Sequence, residues 1–276
     1  MPFGLPDSQQ RLSYGGYLKI AELTSLQQQQ SDPPHHDEML FIIIHQAYEL
    51  WFKQMLHEID AAIQRLDSDD VLGTCRVLRR CFEIERLLVA QIGVLETMTP
   101  MDFLAFRDHL FPASGFQSSQ FRELEFVSGL KDPRFLEYYA AGSPERARLE
   151  QRLAARTLPE AFHDLLRRRG LDVPDGEGEE AREVRLQSLA RIYREPETYY
   201  DLFLLAEGLI EYDETFLTWR MRHVHMVERI IGGRPGTGGS EGAQYLRSTT
   251  DRRFFPDLWD LRNVLGLPPS IGHGKM

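Results

Sequence analysis

The 276-residue sequence predicts an all-α protein, and three observations carry the prediction. Apolar residues return every three or four positions over long stretches. Helix-start residues stand where several of those stretches begin. No stretch alternates apolar and polar residues between Gly/Pro turns, as a half-buried strand would.

The elements follow in order. "HDEMLFIIIHQAYELWFK", His36 to Lys53, contains the one strand-like run, Phe41 to Ile44; four residues without a nearby partner strand read better as buried helix. Tyr48, Phe52, Met55, Ile59, Ile63 and Leu66 continue one helical face, and Val71, Cys75, Leu78 and Phe82 make a second. Ser68-Asp69-Asp70 between them supplies an N-cap. Further helices are expected near 99–110, with Thr99 as cap and Pro100 in the first turn, and near 116–128, 144–155, 180–193 and 197–231. The charged, Gly- and Pro-bearing segment from Leu166 to Arg185 reads as a solvated loop within one domain. A single helical domain over 1–276 with a helix-bundle core is therefore expected.

Composition narrows the function. With 42% hydrophobic and 27% charged residues the chain is ordinary globular material. A formal net charge of −10 argues against nucleic acid or an anionic membrane as partner and for a small ligand. "MPFGLPDSQQ" lacks the basic and apolar regions of a signal peptide and no run reaches a membrane span, so a cytoplasmic protein is expected. Cys75 and Cys81 would stand about 9 Å apart along a helix, beyond disulfide reach, and read as core fillers.

Four stretches carry candidate chemistry. His45, directly behind Phe41-Ile42-Ile43-Ile44, is either a hydrogen-bonded core histidine or a working group facing an apolar cavity. In "LTWRMRHVHMVERIIGG", Trp219, His223, Met226, Val227 and Ile230 share a face, while His225 lies about 200° round from His223. Positions i and i+2 of a helix cannot jointly hold one metal; a single inward histidine is either a satisfied core residue or an axial ligand of haem iron. "GGRPGTGGSEG", with six glycines in eleven residues, lacks the Lys and preceding strand of a phosphate loop. It is a flexible connector or a loop whose backbone approaches a ligand, with Thr237 at its centre. In "TMTPMDFLAFRDHL", Phe103, Arg107 and Leu110 share a face, so a guanidinium stands on the apolar side. Its anion is an internal carboxylate such as Asp102, or a substrate carboxylate.

Together "YGGYL" from Tyr14, "HDEMLFIIIHQAYELWFKQ" from His36, "LETMTPMDFLAFR" ending at Arg107, "PASGFQSSQFR" from Pro112, "WRMRHVHMV" from Trp219 and "GTGGSEGAQYLRST" from Gly236 resemble the tryptophan 2,3-dioxygenase family. They stand in the family's order and span residue 14 to about 265. The resemblance implies an all-helical, homotetrameric enzyme, a dimer of dimers with one haem b per subunit, ferrous when active. It would use O2 to open the indole ring of L-tryptophan at C2–C3, giving N-formylkynurenine. His223 matches the axial haem ligand, His45 the histidine at the indole N–H and Phe41 a wall of the indole pocket. Arg107 matches the clamp on the substrate carboxylate, with Phe103 and Leu110 beside it, and Thr237 the contact to the head group. Tyr14, Tyr17 and Leu18 match residues that reach a neighbouring subunit's pocket, so the segment 1–30 is expected to be exchanged between subunits. One departure is Glu241, where the family usually carries serine; it is expected to face solvent. The alternative chemistry is mono-oxygenation of a modified tryptophan or another indole; a haem-binding sensor would leave Arg107 and Thr237 without use, and a catalytically silent helical interaction protein would be told from both haem readings by an absorption spectrum.

Overall fold

The computed structural model describes residues 12–266 apart from 177 and 240, and these residues are helices and connections with no strand among them. The ends of the expected domain, 1–11 and 267–276, lie outside the described residues. In chain order the helices are α1 (Tyr14–Leu18), α2 (Ile20–Leu23), α3 (His36–Asp67), α4 (Val71–Leu95), α5 (Pro100–Arg107), α6 (Ser119–Val127), α7 (Pro144–Ala154), α8 (Leu158–Arg168), α9 (Glu179–Arg194), α10 (Pro196–Ile231), α11 (Ala243–Arg247) and α12 (Pro256–Asp260).

Three long helices, α3, α4 and α10, form the centre, with α4 packed along both of the others. The periodic apolar faces explain why. Tyr48, Phe52, Met55, Ile59 and Leu66 of α3 are buried, as are Val71, Leu78 and Phe82 of α4, while Ile63 and Cys75 are half-buried. Each such side chain contributes about 1.5–3 kcal/mol on burial. The connection between α3 and α4 is short because Asp70 does two jobs: its carboxylate accepts the Gly73 N–H at 2.9 Å as N-cap and the Arg65 guanidinium at 2.5 Å. The Tyr48 hydroxyl then donates to the Leu88 carbonyl at 2.7 Å and fixes the register of α3 on α4. Phe41 to Ile44 are helical, inside α3. Helices α6 and α8 pack on α3, α9 on α10, and α12 on α9.

The segment from Leu166 to Arg185 differs from a solvated loop. Leu166 lies in the last turn of α8, which ends at Arg168, Glu179 begins α9, and between the helices Leu171 and Val173 are buried among charged neighbours. Arg185 donates to the carbonyls of Pro174 (3.2 Å) and Gly176 (2.8 Å) and to Asp257 (2.5 Å), so the loop is strapped to the core. Helix α8 itself starts with a reciprocal cap between Thr157 and Glu160.

At the N-terminal side, Glu38 is fully buried at the start of α3 and accepts from Gln30 N (2.6 Å), Ser31 N (3.1 Å) and Ser31 Oγ (2.5 Å). Burial alone would raise its pKa, but these donors outweigh it and hold the carboxyl below its ordinary value. The folded pKa is depressed, so the stabilisation is present above about pH 4.3 and is lost as pH falls through the folded value. Glu38→Gln is expected to lower stability by about 2 kcal/mol at neutral pH, as hydrogen bonds to a charged group do. Urea unfolding at pH 7 and pH 4 checks this, and the difference between variant and parent should shrink at the lower pH.

Candidate active site

A cavity with about 1530 Å³ of atom-free space, mouth included, lies among α3, α5, α6, α10 and the chain beyond α10. Most of its wall is apolar, from Phe41, Phe52, Phe103, Phe121, Met226 and Ile230.

Helix α10 places His223 in this wall and His225 outside it, where it is exposed, as their angular separation requires. The His223 ring stacks on Trp219 one turn earlier, with centroids 5.2 Å apart and planes at 6°. Burial, with a smaller contribution from His45, pushes its pKa down to about 4, so the imidazole is neutral at pH 7 and a ring nitrogen is free to bind a metal. No group of three or more His, Cys, Asp or Glu side chains among the described residues could hold a metal ion by itself. The donor set is thus one imidazole, which suits an iron whose remaining ligands come from a macrocycle.

His45 faces the same cavity from α3. Its Nδ1 lies 2.7 Å from the Phe41 carbonyl, which can only accept, so Nδ1 carries the proton and Nε2 is left as an acceptor. Burial lowers its pKa against the opposing pull of the Phe41 carbonyl and Glu49. The Phe41 ring lies 4.1 Å from the His45 ring.

Arg107 ends α5 and reaches the cavity mouth. Asp102 is not its anion. That carboxylate accepts from Thr99 N (3.0 Å) and Thr99 Oγ1 (2.5 Å) at the start of the helix, and no carboxylate among the described residues pairs with Arg107. Its Nη2 donates to the Pro235 carbonyl at 2.5 Å and its Nε is buried without a partner. Thr237 lines the mouth and donates through Oγ1 to the Ala113 carbonyl at 2.6 Å, which leaves the hydroxyl oxygen free to accept. The glycine loop carrying it needs its glycines: a Cβ on Gly242, at φ +59°, would meet the Arg234 carbonyl at 2.4 Å, and one on Gly238 would meet Ser114 Cβ at 2.6 Å.

His45, Phe41, Phe103, Arg107, Thr237 and His223 therefore share one cavity. Leu110 does not line it. The chain tightens into a 3-10 turn over Asp108–Leu110, which turns Leu110 off the face of Arg107 and against the core. Tyr14 and Tyr17 are 78% and 69% exposed, and with Leu18 they stand away from their own chain's cavity. Glu241 is exposed and not in the wall, as expected.

The sequence reading missed a buried charged cluster at the cavity wall. Glu125 accepts from Arg122 (2.5 Å) and from Arg220 (2.9 Å), and all three are at most 4% exposed. Two guanidinium groups against one carboxylate leave an excess positive charge, and Arg122 Nε, Arg220 Nε and the Tyr245 hydroxyl have no hydrogen-bond partner among the described residues. Such a wall accepts an anionic group.

A sequence model of the tryptophan 2,3-dioxygenase family matches residues 5–172 and 145–265. The chain belongs to that family. Among tryptophan 2,3-dioxygenases it is 49% identical over 260 residues to the protein of Nocardioides sp., covering 92% of this chain and 95% of the relative. The tryptophan 2,3-dioxygenase of Herpetosiphon aurantiacus is 47% identical, with 92% and 98% covered, and that of Caulobacter vibrioides 44%, with 93% and 99%.

Proposed function

We propose that this chain is a haem-dependent dioxygenase that opens the indole ring of L-tryptophan at C2–C3 with O2, giving N-formylkynurenine. One observation supports it most strongly. One cavity joins a neutral His223 in its apolar wall, without a hydrogen-bond partner among the described residues, to an Arg107 at its mouth that pairs with no carboxylate among them. A structural arginine would have found a carboxylate, and a core histidine a hydrogen-bond partner.

The residues present fit haem b. His223 would be the axial ligand, and the positive cluster of Arg122, Arg220 and Tyr245 would meet the macrocycle's carboxylates. Bound haem supplies the activation of dioxygen. The chain's own residues do the positioning. His45 Nε2 accepts the indole N–H, Phe41 and Phe103 enclose the ring and exclude water, Arg107 donates to the carboxylate, and the Thr237 oxygen accepts from the ammonium. Both head-group contacts lie on elements tied to each other, since Arg107 bonds to Pro235 and Thr237 to Ala113.

Labelled dioxygen tests the reaction. Reduced, haem-loaded protein with L-tryptophan is expected to give a ring-opened product carrying two labels by mass spectrometry. A closed-ring product with one label would favour mono-oxygenation, the alternative chemistry, for which Glu241 outside the cavity wall gives no support.

The same reading makes the enzyme a cytoplasmic homotetramer of single-domain subunits with the N-terminal segment exchanged. Leu12, Tyr14, Tyr17 and Leu26 are all at least 60% exposed in their own chain, as residues awaiting a partner subunit would be. No single helix among the described residues is long and apolar enough to cross a membrane. Deleting residues 1–18 is expected to weaken assembly and activity together. Mixing that truncated chain with an Arg107→Leu chain should restore part of the activity, and an active truncated monomer would refute the exchange.

A further inference from the structure

Helix α6 reaches both helices that carry the cavity's histidines, and one of its side chains has no use in the chemistry above. Gln120 is half-buried on α6, and its amide gives two hydrogen bonds to one residue of α3. Nε2 donates to the Glu49 carbonyl at 2.9 Å and to the Glu49 carboxylate at 2.7 Å, the second bond being charge-assisted. Glu49 stands in the cavity wall one turn beyond His45, about 6 Å along the same face of α3. The bond to its carbonyl fixes the height of that turn directly, because a backbone carbonyl has no rotamers of its own.

The next residue of α6 reaches the opposite helix. The Phe121 ring lies 5.3 Å from Trp219 and stacks on Phe216 at 5.7 Å, both on α10, and it meets Phe52 of α3 at 5.7 Å. Trp219 in turn carries the ring of His223. The start of α6 is itself pinned, since Ser118 Oγ accepts the Phe121 N–H at 3.2 Å. A connected line of bonds and ring contacts thus runs from the His45 turn through Glu49, Gln120, Phe121 and Trp219 to His223.

We propose that Gln120 is a positioning residue that sets the spacing of His45 from His223, and with it the gap in which the indole lies. This rests on the functional reading above, in which the indole N–H meets His45 Nε2. Phe121 and the Glu125–Arg220 pair (2.9 Å) anchor α6 on α10, and Gln120 ties α3 to that anchor. Ring packing between Phe121 and Phe52 holds the helices together but tolerates small slides, which directional hydrogen bonds of 2.7 and 2.9 Å do not. Loss of the amide lets the His45 turn shift while the packing of α3 on α4 keeps the helix in place.

Gln120→Met keeps the length of the side chain and removes both donors. Crystal structures of this variant and the parent, superposed on α10, are expected to show His45 displaced relative to His223. In the ferrous, haem-loaded protein the stretching band of added carbon monoxide, which reports the polar group nearest the gas, is expected to shift. The kcat/KM for L-tryptophan should fall by about 10- to 100-fold with haem content unchanged, the scale of a misplacement on the order of 1 Å. Gln120→Lys, which returns a donor of similar reach, should recover most of both. A Gln120→Met protein with His45 in place and the parent's band, or a Gln120→Lys protein no better than Gln120→Met, overturns the proposal. Should Gln120→Met fail to fold, Gln120→Asn decides alone: its amide is one methylene too short for either oxygen, so a shifted band supports the role and the parent's band overturns it. A parent that takes up no haem would refute the functional reading instead, and the displacement between the crystal structures would still decide the role of Gln120.

Discussion

His223→Ala is expected to abolish stoichiometric haem binding, whereas His225→Ala leaves it nearly unchanged. The two histidines are two residues apart, yet only His223 stands in the cavity wall, and only His225 is exposed. Alanine removes the one nitrogen on the α10 face that can bind the iron, and the neighbouring Trp219, Met226 and Ile230 offer no replacement of comparable affinity. Titrating each purified variant with haem and following the Soret band gives the comparison. A normal spectrum in His223→Ala, or its loss in His225→Ala, would sink the axial assignment.

Arg107→Leu is expected to cut kcat/KM for L-tryptophan by about 30- to 5000-fold with haem content unchanged. The range corresponds to roughly 2–5 kcal/mol for truncating one member of a buried, hydrogen-bonded charge pair. The guanidinium is available for this: among the described residues it bonds to the Pro235 carbonyl alone, and Nε has no partner. An indole without the carboxylate should be turned over or bound nearly as well by variant and parent, since it never used the contact. Equal losses for both compounds would make Arg107 a structural residue.

What the sequence makes legible, and what it hides, divides along physical lines. Faces set by helical periodicity could be read directly, because α3, α4 and α10 bury them against one another: Tyr48 through Leu66, Val71 through Phe82, and Trp219 with His223 all came from spacing alone. The roles at His45, Arg107 and Thr237 could not be separated from blander ones until their partners were visible. The cap formed by Asp102 removed the internal anion for Arg107, and the Phe41 carbonyl fixed the His45 tautomer. Leu110 was misplaced because spacing assumes an unbroken α-helix, and the chain tightens after Arg107. The cluster of Arg122, Glu125 and Arg220 was hidden for a different reason. Arg220 sits nearly a hundred residues from Arg122 and Glu125, and each charge in "QFRELEF" reads like a solvated surface residue until α10 is laid across it. Helix α8 was a missed opportunity, since "TLPEAFHDLLRRRG" carries both its cap and its terminating Gly170.

The parallel stack of His223 on Trp219 bears on how tightly an iron can be held. An imidazole on a free side chain can spin about its bond to the helix, and binding a metal must freeze that motion. Here the rotation already competes with an aromatic contact worth about 0.5–1.5 kcal/mol, so the ring plane is chosen before any metal arrives. The coordination bond is no stronger for it. The gain is entropic: fewer orientations remain to be surrendered on binding, and the ligand's azimuth is inherited from the helix.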